Sequence, residues 1–162
     1  MVLKSNDSAN PAPRRPKVVH AGDGMRLNVQ GIVFSYKAVG EDTEGRYALT
    51  EGIVPPHHGA PEHIHHREDE AFYILEGEFE IECGGEIFRA SPGTFALLPK
   101  GLPHRFQNLA DRPGKVLCVQ SPSGIEEFFE HMSLLAEAGP PDPNKMKELA
   151  DKYEIEFLLP PR

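Results

Sequence analysis

Two stretches decide how this chain is read. The first is Gly59-Ala60-Pro61-Glu62-His63-Ile64-His65-His66-Arg67-Glu68-Asp69-Glu70, and the second runs from Gly93 through Pro99, Gly101 and His104 to Asn108. His63 and His65 are two apart, so on a strand they share one face. Glu70 follows a short polar bend, at the start of a new apolar run. His104 arrives on a separate strand. Three imidazoles and one carboxylate suit a divalent transition metal. Asp69 and Glu68 compete with Glu70 for the carboxylate role, and an acidic, histidine-rich loop of this kind is also ordinary solvated surface. The second stretch changes the balance, because its glycines and proline shape turns at fixed spacings before the strand that presents His104.

Parity carries the reading into the surrounding pocket. If His104 points inward, so do Phe106 and Asn108; if Glu70 does, so do Phe72 and Ile74. Such a pocket is mostly apolar with a few polar anchors, as small-molecule sites are. Tyr36, Tyr47 and Gln120 are further candidate contacts. His66 has the wrong parity and faces out. His57 and His58 follow Pro55-Pro56 on an exposed loop, and His20 and His131 read as surface or interface histidines.

Outward from these stretches the chain alternates in short runs, among them Ile32-Val33-Phe34-Ser35-Tyr36, Phe79-Glu80-Ile81-Glu82-Cys83 and Val116-Leu117-Cys118-Val119. Runs of this length favour strands over helices. Cys83-Gly84-Gly85-Glu86 is a tight hairpin signal, because glycine tolerates the positive φ such turns need. Many short strands with such turns imply an antiparallel sandwich or barrel. After Gln120 the period changes. Ser123-Gly124-Ile125-Glu126 has the form of a capping box, and Ile125, Phe128, Phe129, Met132 and Leu135 recur at helical spacing. Their stripe is a docking face, expected over the outside of the barrel or on a partner subunit. Gly139 with Pro140-Pro141 ends that helix. Asp142-Pro143 starts a shorter one, with Met146, Leu149, Ala150 and Tyr153 on one face. The division is a disordered or extended arm over 1–17, a β-barrel over 18–120, and a helical extension with an apolar tail over 121–162.

At 162 residues the chain makes one domain with room for a core. Its net charge of -8 and lack of a basic stripe exclude nucleic acid and anionic membranes as expected partners. No run approaches the roughly 20 apolar residues of a membrane span. The N-terminus shows no secretory signal, which points to the cytoplasm. Cys83 and Cys118 make no disulfide framework and read as buried free thiols.

The two stretches together resemble the cupin motifs. The first cupin motif is His-X-His, three or four residues, Glu, six residues, Gly; His63, His65, Glu70 and Gly77 match it, with four residues before the Glu. The six-residue gap to Gly77 selects Glu70 over its acidic neighbours. The second motif is Gly, five residues, Pro-X-Gly, two residues, His, three residues, Asn; Gly93, Pro99, Gly101, His104 and Asn108 match at every position. Fifteen residues, 78–92, separate the two. One departure concerns the entry turn: Gly59 precedes His63 by four residues where the usual form has six.

The resemblance implies a mainly β fold, a small antiparallel jelly-roll barrel with C-terminal helices. It implies that His63, His65, Glu70 and His104 hold one divalent metal, which is iron, manganese, nickel, copper or zinc. More narrowly, the chain looks like single-domain cupins grouped with quercetin 2,3-dioxygenase. That implies a dioxygenase using O2 on a hydrophobic, flavonol- or enol-like substrate, with Glu70 as general base. The alternatives are a non-catalytic small-molecule-binding cupin and a metal-dependent isomerase or decarboxylase. A homodimer is expected, with the N-terminal arm and apolar tail covering barrel edges.

Overall fold

The computed structural model describes residues 15–137, Gly139 and 142–158. Of the arm expected over residues 1–17, residues 1–14 lie outside the described residues, as do the Pro140-Pro141 helix stop and the tail from Leu159. The elements are β1 (Arg26–Val29), β2 (Ile32–Ala38), α1 (Gly40–Thr43), β3 (Ala48–Val54), β4 (Gly59–His65) and β5 (Asp69–Glu76). There follow β6 (Phe79–Cys83), β7 (Glu86–Ala90), β8 (Phe95–Leu98), β9 (His104–Asn108), β10 (Gly114–Ser121), α2 (Ile125–Glu137), α3 (Pro143–Lys152) and β11 (Ile155–Phe157).

The strands form two antiparallel sheets, ordered β1-β2-β3-β10-β5-β8 and β11-β4-β9-β6-β7. Their inner faces are largely apolar and their outer faces mixed, so strands such as β3, β9 and β10 alternate in burial. Glu70, Phe72 and Ile74 of β5 are buried, as are His104, Phe106 and Asn108 of β9, which is the expected parity. Gly84 and Gly85 have φ of 60° and 84° and join β6 to β7 in two residues. Successive positive φ values suit a type I′ turn, whose twist matches the flanking strands. No described helix is long and apolar enough to cross a membrane.

Two close contacts set the frame of the site. Gly59 lies against the backbone of β9: a Cβ there would fall 1.8 Å from the Phe106 carbonyl oxygen. The glycine displaced from its usual position by the sequence spacing therefore lets β4 meet β9. Asn108 is fully buried and donates to the carbonyls of Val54, Pro55 and Arg112 at 2.8–3.1 Å, while its own oxygen accepts from Ala110 N at 3.0 Å. One side chain thus ties the end of β3 to the turn before β10.

The C-terminal segment departs from expectation in three respects. Glu126 does not close a capping box on Ser123; its carboxylate accepts from Gly124 N and from Gly40 N, both at 2.7 Å, and so fastens the start of α2 to α1. The Phe and Met stripe of α2 docks, but at the mouth of the barrel and not on its outer wall. Phe129 stacks on Phe34 of β2, with centroids 4.7 Å apart and planes 7° from parallel. The third is β11, which pairs with β4 as an edge strand of the second sheet. A short apolar run directly behind a helix turned back to satisfy the open backbone edge of its own chain. α3 follows the sequence reading: Asp142 caps Asn144 N at 2.8 Å, and Ala150 and Tyr153 are buried.

Candidate metal centre

Three strands deliver the four donors. β4 brings His63 and His65, β5 brings Glu70, and β9 brings His104 opposite His63 in register. All four are buried, and one ligand atom from each lies within 4.8 Å of the others. His63 Nδ1 donates to the Pro61 carbonyl at 2.8 Å and His104 Nδ1 to the Leu102 carbonyl at 2.9 Å. A carbonyl only accepts, so both Nδ1 atoms carry the proton and both Nε2 atoms present a lone pair. His63 Nε2 lies 3.1 Å from His65 Nε2, and His104 Nε2 lies 3.5 Å from Glu70 Oε2 without a hydrogen bond. Imidazole nitrogens bind zinc at about 2.1 Å, so donors sharing one ion are at most about 4.2 Å apart. The 4.8 Å spread here exceeds that, so small side-chain shifts would be needed to bring all four donors onto one ion. Converging lone pairs, a carboxylate and an orphaned buried nitrogen fit a cation.

The electrostatics agree. Burial, then the charges of His65 and His104, hold His63 down to about 4, so it is neutral and ready to ligate. Burial opposes ionisation of Glu70, but the close approach of His104 and the other nearby imidazoles outweighs that and brings it to about 2. Burial likewise opposes a charged His104, and the Glu70 carboxylate outweighs it, leaving the pKa raised. Gln120, buried behind the site, donates to Glu70 Oε1 at 2.8 Å and leaves Oε2 turned toward the histidines.

The donors open into a cavity with an empty volume of about 640 Å³ including its mouth. His63, His65 and Glu70 line it, with Phe72 and Phe106 from the barrel as the parity argument required. Ile74 is buried but is not a lining residue, because it sits further along β5, and Gln120 reaches the site only through Glu70. Tyr36 and Tyr47 do not line the cavity. The Tyr36 hydroxyl, buried, finds its acceptor in the Glu126 carbonyl at 2.8 Å. Tyr47 precedes β3, where strand alternation does not yet hold, and is 40% exposed. Much of the remaining lining comes from residues not foreseen as site residues, among them Phe34, Phe128, Phe129, Met132, Ile155 and Phe157. For all but Phe34 of β2, the signal was apolar and aromatic content in a C-terminal segment long enough to fold back.

Other histidines stay outside. His57 pairs with Asp111 at 2.8 Å, His58 meets the Gln30 carbonyl at 2.6 Å, and exposed His66 meets Glu156 at 3.0 Å. The two cysteines are free, Cys118 buried and Cys83 only half-buried. Asp69 is exposed and accepts from Lys100 N at 3.0 Å.

Comparison with known proteins supplies the family. Residues 50–120 match the Cupin domain, a span that contains all four donors. The uncharacterized protein MJ1618 of Methanocaldococcus jannaschii is 32% identical over 85 residues, 52% of this chain and 68% of that protein. Polyketide synthase CurC of Streptomyces cyaneus is 28% identical over 53% of this chain and 56% of its own length. Quercetin 2,3-dioxygenase of Bacillus subtilis is 24% identical over 63% of this chain but only 30% of the enzyme. It is one of several distant relatives with different names, and nothing sets it apart from the others. The solved structure of KdgF from Halomonas sp. covers 70% of this chain and 99% of that one, with a TM-score of 0.62 at 22% identity, a likeness of fold. With its two-sheet jelly roll and its four buried donors, the chain belongs to the cupin superfamily.

Proposed function

We propose that this chain is a metal-dependent oxidoreductase of dioxygenase type, acting on a small aromatic molecule with an enol or enol-like oxygen. One observation carries the reading: the cluster of His63, His65, Glu70 and His104 reaches, through its first three members, a cavity walled by Phe34, Phe72, Phe106, Phe128, Phe129 and Met132. None of the described lining residues is Lys or Arg, which disfavours a sugar phosphate. A bound redox-active divalent metal supplies Lewis acidity, which lowers the pKa of an enol oxygen brought to it. The ring walls orient a flat substrate and keep water out. Glu70 receives the enol proton at Oε2, the oxygen that Gln120 leaves free. Burial raises the proton affinity of that carboxyl, while the neighbouring histidines lower it. O2 is the oxidant, and both its atoms end in the cleaved organic product.

The test is oxygen uptake by the metal-loaded full chain with a flavonol such as quercetin. Substrate-dependent uptake that Glu70→Gln abolishes supports the reading. Tight flavonol binding with no uptake refutes it and leaves a non-catalytic binding cupin. One observation favours that second reading: a carboxyl held down to about 2 is a weak base near neutral pH.

A further inference from the structure

His65 is held differently from the other two imidazoles. His63 and His104 each donate Nδ1–H to a carbonyl two residues back on the chain. His65 Nδ1 has no such partner among the described residues. It faces Glu68 Oε2 at 3.5 Å, and that oxygen is likewise without a hydrogen bond. Glu68 is only 1% exposed. Burying a carboxylate is costly unless it is paired, and two orphaned buried polar atoms that face each other account for one another. On its other side, Glu68 Oε1 lies 3.8 Å from the guanidinium of Arg67. Arg67 in turn donates to the Ser123 carbonyl at 2.9 Å, just ahead of α2. Gly124 leaves room for it, since a Cβ there would meet Arg67 Nη1 at 2.7 Å.

We propose that Glu68 is a positioning residue of the metal centre: it takes the Nδ1–H of His65 and so fixes the tautomer and ring orientation that turn Nε2 toward the ion. The inference rests on the reading that His63, His65, Glu70 and His104 hold a metal. Carboxylate partners of ligating histidines act in this way, and their loss typically weakens metal affinity 10–100-fold. Arg67 clamps Glu68 from outside and links it to the cavity roof formed by α2.

The experiment titrates Co²⁺ into the chelator-treated full chain, unsubstituted and as Glu68→Ala, Glu68→Gln and Asp69→Ala. In parallel, the ¹⁵N shifts of the histidine rings are recorded in the metal-free proteins. The expected result is a 10–100-fold weaker affinity for Glu68→Ala and a smaller loss for Glu68→Gln, which keeps an acceptor. Asp69→Ala, altering an exposed neighbour, leaves affinity unchanged. The His65 ring alone should lose its Nδ1–H tautomer in Glu68→Ala, with His63 and His104 unmoved. If Glu68→Ala does not fold, Glu68→Gln carries the test through both readouts. Unchanged affinity and an unchanged His65 tautomer overturn the proposal while leaving the metal site standing. Absence of Co²⁺ uptake by the unsubstituted chain overturns the metal reading and this inference with it.

Discussion

Phe157 lies directly opposite His63 in the antiparallel register of β11 and β4, and the two rings are 6.1 Å apart. The same strand sets buried Ile155 opposite His65. The last described strand is therefore a wall of the metal centre and of its cavity. Ile155→Ala removes buried contacts at this edge, so it should cost about 2–4 kcal/mol of stability. Denaturant unfolding measures this, and a cost below about 0.5 kcal/mol would mean that β11 does not hold this place in solution.

Gly59→Ala tests the approach of β4 to β9. The added methyl meets backbone, the Phe106 carbonyl, so a side-chain rotation cannot relieve it. The strands must separate, carrying His63 away from His104. We expect a loss of about 2–4 kcal/mol together with weaker metal binding. Unaltered stability and affinity would contradict the register.

Asn108→Asp replaces a donor with an acceptor in front of three carbonyls. The buried charge then keeps only the Ala110 amide as a donor while its second oxygen faces carbonyls, and the expected cost is about 3 kcal/mol near neutral pH. Partial recovery on acidification, as the new carboxyl protonates, distinguishes this cause from a simple packing defect. Urea midpoints at two pH values read it.

Acid should destabilise the metal-free protein through His63 and Glu70. His63 is lowered from 6.5 to about 4, so its contribution is complete above 6.5 and is lost as pH falls through about 4. Glu70, lowered from 4.5 to about 2, adds a second loss between those values. His104 works the other way: its raised pKa stabilises below 6.5 and that contribution is lost as pH rises through the folded value. Thermal unfolding at stepped pH should therefore show a decline on acidification that is shallower in His63→Gln. An identical slope in that variant would contradict the assignment.

Much of this architecture was legible in the chain because strand parity is strict. One buried histidine on β9 committed Phe106 and Asn108 to the inner face, and Glu70 did the same for Phe72 and Ile74. Glu68 escaped the same logic, since the bend at His66 and Arg67 breaks the alternation and returns a charged residue to the interior. The capping pattern at Ser123 was real as a pattern, yet Glu126 found a better use in the amide of Gly40, far away in sequence. Helical spacing showed that α2 has an apolar face but not what it meets. That depended on tertiary partners such as Phe34. Tyr36 illustrates the same limit, because a buried hydroxyl follows its acceptor and not the nearest cavity.

The most direct test is elemental analysis of the full chain purified without chelators or a histidine tag, beside His104→Ala. About one equivalent per chain of iron, manganese, nickel, copper or zinc, lost in the variant with the fold retained, is the expected result. No metal in either protein, and none acquired when these ions are added, would contradict the claim that His63, His65, Glu70 and His104 form a metal centre.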